Sequence, residues 1–239
     1  MKTLDLMEML GRHPVFDLAI FASMAGIEPN YAKVRLHRLV EEGRIFRLER
    51  NSYTVLKDPL IVASRIVWPG YISLWYALGY HGLTEQIPHA ISVLTTKRTF
   101  RAVIDFQQAR IEFLKIPPSA LFGYEKTVVR ESEVFMATPE KALVDAVVLR
   151  RISMAEIFGM MKERKMALDL RRLADFVRRT GSIAAAKRMG YMLEQLGSDQ
   201  WMRLAKGIYP VAIPLDSALP RKGALVRKWG IIDNAGVGI

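Results

Sequence analysis

The chain has 239 residues, 51% of them hydrophobic and 25% charged, which are the proportions of an ordinary folded protein and exclude a disordered one. Cysteine is absent, so disulfides, thiolate zinc sites and a cysteine nucleophile are excluded, and a reducing, cytoplasmic setting is expected. The 35 Lys+Arg against 24 Asp+Glu give a formal net charge of +11, an excess that favours polyanions such as nucleic acid, or an acidic protein partner.

The opening residues, Met1-Lys2-Thr3-Leu4-Asp5-Leu6-Met7-Glu8, are interrupted by two acids and do not read as a signal peptide. The most apolar runs, Leu60 to Val67 and Ala142 to Leu149, are only eight residues long, whereas a membrane-spanning helix needs about twenty. No membrane partner is expected.

Three helical patterns follow one another quickly. Leu4, Leu6, Met7 and Leu10 give a short amphipathic helix that ends near Gly11 and Pro14. Asp17 can cap a second, with Leu18, Phe21, Ala22 and Ala25 on one face, broken by Gly26 and the turn Ile27-Glu28-Pro29. A third starts at Pro29-Asn30 and runs to Glu42, with Gly43 as its stop. Its buried stripe is Ala32, Leu36, Leu39 and Val40, and the other face carries Asn30, Tyr31, Lys33, Val34, His37 and Arg38, with Arg35 at the edge. Two short strands, Arg44 to Leu48 and Tyr53 to Leu56, are joined by Glu49-Arg50-Asn51-Ser52 into a hairpin with a basic tip.

This order of elements predicts a winged helix-turn-helix over residues 1–57. A helix of this kind enters the major groove, where Asn, Lys, Arg and His side chains bond base edges. Wing cations such as Arg47 and Arg50 reach phosphates and contribute salt-dependent affinity without specificity. Seven cations (33, 35, 38, 44, 47, 50, 57) face three acids (41, 42, 49) between residues 30 and 57. A basic helix face is also an ordinary solvated surface, and winged helices serve as protein-binding modules too. His37 reads equally as a contact to guanine or phosphate and as an inert surface histidine.

Residues 58–239 predict a larger mixed domain. Asp58-Pro59 caps a helix from Leu60 to Val67, read as a linker and packing element, and an aromatic-rich helix runs from Tyr71 or Ser73 to Gly82. Strands are expected at Ile91 to Thr95, Ala102 to Phe106, Arg110 to Ile116, Thr127 to Arg130 and Val134 to Ala137, in a small sheet spanning about 88–137. Helices are expected over about 138–206. Thr138-Pro139-Glu140 caps one, Ser153-Met154-Ala155-Glu156 is a capping box, and Asp169 and Ser182 open two more. An extended tail, 207–239, ends in a hairpin or edge strand from Ala224 to Asp233. The fold class is therefore α+β: an N-terminal winged helix-turn-helix, then a small sheet with a helical part behind it.

Residues 150–188 are the most basic segment, with eleven cations against four acids. Arg171, Arg172, Arg178, Arg179, Lys187 and Arg188 come in pairs at about two-turn spacing, which suggests a positive ridge for an acidic partner or the DNA backbone. Intrahelical pairing with Glu163, Asp169 and Asp175 is the plainer account.

Catalytic signals are weak. The four histidines, His13, His37, His81 and His89, show no metal-binding spacing, and no phosphate-binding loop or nucleophile elbow is present. Asp105, Glu112 and Lys115 faintly resemble the acid, acid and lysine of metal-dependent nucleases, but a spacing of three puts Glu112 and Lys115 on opposite faces of a strand. No enzyme, metal or cofactor is expected.

Four stretches resemble the AbiEi-type antitoxins of type IV toxin-antitoxin systems. They are Tyr71-Ile72-Ser73-Leu74-Trp75-Tyr76-Ala77-Leu78-Gly79-Tyr80-His81-Gly82-Leu83-Thr84-Glu85-Gln86-Ile87-Pro88; Ala137-Thr138-Pro139-Glu140-Lys141-Ala142-Leu143-Val144-Asp145; Arg188 to Gly197 with Tyr191-Met192-Leu193-Glu194; and Pro214-Leu215-Asp216. The resemblance implies a winged helix that represses its own operon by binding operator DNA. It also implies a C-terminal domain that counteracts a nucleotidyltransferase toxin, without catalysis or cofactor. The alternatives are a stand-alone regulator, a purely protein-binding antitoxin module and, more remotely, a nuclease. Helix-turn-helix proteins often form dimers, but nothing in the sequence names an interface.

Overall fold

The computed structural model describes residues 3–99, 101–209 and 211–238, which form a mixed α+β protein. The chain divides into two compact units, each assembled from three stretches: Met1–Ile72, His89–Lys115 and Lys126–Phe135 in the first, Ser73–Pro88, Ile116–Glu125 and Met136–Ile239 in the second.

The first unit opens with α1 (Thr3–Gly11), α2 (Leu18–Ala25) and α3 (Pro29–Glu41). The Asp17 carboxylate accepts the Ile20 N–H at 2.8 Å and so fixes the start of α2, while Gly26 ends it in a left-handed conformation. Leu6, Leu10, Phe16, Phe21, Ala32, Leu36, Leu39 and Ile45 close into one apolar core. Strands β1 (Phe46–Glu49) and β2 (Ser52–Thr54) form an antiparallel hairpin against this core.

The same unit holds α4 (Pro59–Ile66), β3 (Gly70–Ser73), β4 (Ile91–Thr95), β5 (Val103–Phe106), β6 (Ala109–Lys115), β7 (Tyr124–Val129) and β8 (Ser132–Ala137), the end residues of some strands belonging to the second unit's stretches of chain. The sheet order is β5-β6-β4-β3-β8-β7. β4 and β6 are parallel, with Thr95 opposite Lys115, and β5 is antiparallel to β6. Helix α4, anchored by Asp58 accepting the Leu60 N–H at 2.9 Å, is the packing element expected of it: it buries Leu60, Val62 and Ala63 and packs on β4 and β6.

A helix starting at Tyr71 is not what forms. Gly70 to Ser73 is a strand between β4 and β8, every residue of it buried, so its apolar run lacks the alternation that marks a half-exposed strand. The helix begins at Leu74 with Ser73 as its N-cap, so of the two expected starts the one at Ser73 holds.

The second unit contains α5 (Leu74–Tyr80), α6 (Pro139–Leu149), α7 (Met154–Glu163), α8 (Leu170–Arg179) and α9 (Ile183–Gln195). Thr138, Ser153, Asp169 and Ser182 cap α6 to α9, each side chain accepting a backbone N–H, and Ser153 with Glu156 completes a capping box. Helix α6 is the centre, buried from Glu140 to Val147 and packed against α5, α8 and α9. The tail contains a three-stranded sheet: β9 (Ile213–Pro214) lies parallel to β11 (Ile231–Asp233), which pairs antiparallel with β10 (Ala224–Val226). Trp229 is fully buried on α9, where Gly190 is obligatory because a Cβ there would lie 2.2 Å from the indole ring. Among the described residues no helix is long and apolar enough to cross a membrane.

Candidate nucleic-acid interface

Helix α3 divides cleanly by face. Ala32, Leu36 and Leu39 are buried against α2, while Asn30, Tyr31, Lys33, His37 and Arg38 are exposed and Arg35 is half-buried. Tyr31 and Val34, at 59% and 49% exposure, add apolar surface to the exposed side. Lys33, Arg35 and Arg38 have no ion-pair partner among the described residues. The helix end is well defined: Gly43, at φ +67°, donates to Val40 O at 2.9 Å and Arg44 N–H to Leu39 O at 3.0 Å, a Schellman closure.

The hairpin is held to the helices at two points. Phe16 and Tyr53 exchange backbone hydrogen bonds, both at 2.9 Å, in an antiparallel bridge, and the Phe16 ring lies near those of Phe21 and Tyr53. At the hairpin tip, Asn51 sits in the left-handed region at φ 55°, and its side-chain oxygen accepts the Leu18 N–H at 3.1 Å. Sequence reasoning misses both ties; the aromatic pair and an Asn in a turn are the signals that could have found them. Arg50 beside Asn51 is exposed, and Arg47, also exposed, donates from Nε to Glu49 O at 3.3 Å. Arg44 pairs with Glu42 at 3.1 Å.

The positive ridge expected at residues 171–188 does not exist as one surface. Lys187 and Arg188 are buried: Lys187 Nζ donates to Val211 O at 2.5 Å, and Arg188 donates from Nε to Leu215 O at 2.8 Å and from Nη2 to Pro214 O at 3.2 Å. Burial pulls both cations below their ordinary pKa values, with the positive charge of Arg150 adding to the effect at Arg188 against the opposing pull of Asp216. Of the exposed arginines, Arg172 pairs with the buried Glu140 at 2.6 Å, and the Arg179 guanidinium lies over the Phe122 ring at 4.1 Å. Arg178 stands 3.9 Å from Asp175, which Arg203 holds more closely at 2.7 Å. Only Arg171 of the six is exposed without a charged or aromatic partner among the described residues.

Asp105 and Glu112 share a face of the β5–β6 pair, but Asp105 lies opposite Arg110 and Glu112 opposite Val103. Lys115 projects from the other face. Among the described residues no group of three or more His, Asp or Glu side chains is placed to hold a metal.

Ser73, His81, Glu140, Lys141, Asp145, Tyr191 and Asp216 supply much of the second unit's buried polar framework. Ser73 Oγ donates to Asp145 at 2.8 Å, Lys141 pairs with the same carboxylate, and all three are at most 4% exposed. His81 Nε2 donates to Ala137 O at 2.8 Å, Glu140 accepts the Asp169 N–H at 3.0 Å, and Asp216 accepts the Met154 N–H at 2.9 Å. Tyr191 donates to Asp233 at 2.8 Å. These residues fix helices and tail in place.

No protein-family model matches the chain, and no curated protein matches it. Among solved structures, the chain is similar to the crystal structure of the RV2827C protein from Mycobacterium tuberculosis, with a TM-score of 0.64 and 15% identity over 96% of this chain and 90% of that one. At this identity the likeness concerns the fold.

Proposed function

We propose that α1 to α3 and the β1–β2 hairpin are a winged helix-turn-helix, and that the chain is a cytoplasmic transcriptional regulator binding operator DNA. One observation carries this reading. The face of α3 turned away from the core presents Asn30, Tyr31, Lys33, His37 and Arg38 with their donors uncommitted, beside a rigidly tied hairpin bearing Arg47 and Arg50. Free donors on a fixed helix are what base-edge recognition requires. By its four stretches of resemblance the regulator is the antitoxin of a type IV pair, repressing its own operon and opposing a nucleotidyltransferase toxin, with no catalytic step or cofactor of its own.

Gel-shift titration of the chain's own upstream duplex tests the DNA reading. Replacing Lys33 and Arg38 by Ala weakens specific binding by about 1–3 kcal/mol for each base edge that goes unread. Unchanged affinity of that double variant removes α3 from the interface.

A second reading, a protein-binding module, draws on a groove of about 530 Å³ in the second unit. Its apolar residues Ile183, Met202 and Leu204 are flanked by Lys206, and by Arg178 and Arg203, both of which face Asp175; no carboxylate is among the described lining residues, a chemistry suited to an acidic segment of a partner protein. Co-purification with a neighbouring nucleotidyltransferase, abolished by charge reversal at Lys206, favours this reading.

A further inference from the structure

A second group of free cations lies in the first unit, outside α3 and the hairpin. The loop from β4 to β5 carries Lys97, Arg98 and Arg101, all exposed, and contains no carboxylate between Thr95 and Val103. The parallel register of β4 with β6 sets Thr95 opposite Lys115, so a fourth exposed cation stands at the same end of the sheet. None of the four has an ion-pair partner among the described residues.

The loop is anchored at both feet. Thr95 Oγ1 donates to Pro69 O at 2.6 Å and accepts the Lys97 N–H at 3.1 Å, while the Phe113 N–H donates to Ala102 O at 2.8 Å. Its position relative to the hairpin follows from one ring pair. Phe46 of β1 meets Phe106 of β5 edge to face at 6.0 Å, and the loop joins that strand at its opposite end, Val103. The three steps from Val103 to Phe106 span about 10 Å, a few base-pair steps along a duplex.

We propose that Lys97, Arg98 and Arg101, with Lys115 beside them, form an accessory phosphate-binding loop that grips the DNA backbone beyond the hairpin and lengthens the operator footprint. This rests on the reading of α3 as the DNA-recognition helix. The chemistry favours phosphates over a protein surface. The loop sets three cations within five residues and no carboxylate beside them, a density of positive charge that suits phosphates. Phosphate contacts add affinity and salt dependence without base preference.

The test compares the full wild-type chain with the Lys97→Ser/Arg98→Ser/Arg101→Ser variant by fluorescence anisotropy across a salt series. The probes are a duplex from the chain's own upstream region and a scrambled duplex. The slope of log K against log salt is expected to become shallower by about 2.7, at roughly 0.9 per phosphate neutralised, with the preference for the upstream duplex retained. An Arg98→Lys/Arg101→Lys variant keeps the wild-type slope, because the charge is unchanged. A triple variant with the wild-type slope, or a charge-conserving variant with a shallower one, overturns the proposal. Wild-type binding that ignores sequence overturns the specific-regulator reading instead, and the loop is still judged by the slope on either duplex. If the wild-type chain binds neither duplex, both fall.

Discussion

On α3, Lys33, Arg35 and Arg38 stand on a helix whose buried face is wholly apolar, and no carboxylate among the described residues pairs with them. On α8 and α9, four of the six cations are consumed by the fold: Arg172 by Glu140, Arg179 by Phe122, Lys187 and Arg188 by carbonyls of the tail, while Arg178 keeps a long pair with Asp175. The contrast teaches that charge counted along a sequence measures composition, while binding depends on charge left uncommitted after folding. An arginine whose donors are satisfied internally has little to offer a phosphate, and freeing it means breaking bonds that stabilise the protein.

Three perturbations sharpen that contrast, in falling order of effect. Replacing Arg188 by Met removes hydrogen bonds to Leu215 and Pro214 and leaves buried carbonyls unmatched, a destabilisation of about 2–4 kcal/mol in chemical denaturation, with DNA affinity per folded molecule unchanged. If it instead lowered affinity and left stability intact, Arg188 would belong to an interface.

The second perturbation is pH. Burial tends to raise the carboxyl of Asp233, but the N–H of Gly238, the Tyr191 hydroxyl and the N–H groups of Val237 and Ala235 outweigh it and hold the group below its ordinary value. At Glu194 burial is likewise outweighed, here by Lys228 and Trp229. Because both folded-state values are lowered, their stabilisation is fully present above the ordinary carboxylate range and is lost as pH falls below that range toward the lowered folded values. Tyr191 has the opposite sign: burial, then Asp233, raises its hydroxyl, so that contribution holds below about 10 and fades above it. Trp229 fluorescence, with Tyr191→Phe to isolate the alkaline arm, follows both edges. A tail signal flat across the acid range would contradict the assignment of these carboxylates.

The smallest effect belongs to Arg178→Ala, which removes a long, exposed pair with Asp175 and changes stability by less than about 0.5 kcal/mol. A thermal melt checks it.

What the sequence disclosed was local. Asp17, Thr138, Ser153, Asp169 and Ser182 cap helices because the group each one satisfies lies three residues on, within reach of a reading by eye. The apolar stripe of α3 and the hairpin after it are visible for the same reason. The strand at Gly70 is hidden because burial on both faces erases alternation, and a two-residue strand such as β9 has no periodicity to detect. Lys187 and Arg188 read as surface cations because the carbonyls that bind them come 24 to 27 residues later, from a tail with no pattern of its own. At the loop after β4 the run Lys97, Arg98 and Arg101 stands in the sequence, but its fourth cation, Lys115, is hidden because it joins them only through strand pairing.

The most direct measurement sets the two basic regions against each other: anisotropy of the upstream and scrambled duplexes with Lys33→Ala/Arg38→Ala and with Arg178→Ala/Arg179→Ala, each in the full chain. The account predicts that the α3 variant loses most of its preference for the upstream duplex, while the α8 variant binds both as the wild type does. Equal losses from the two, or a loss confined to the α8 variant, would contradict it.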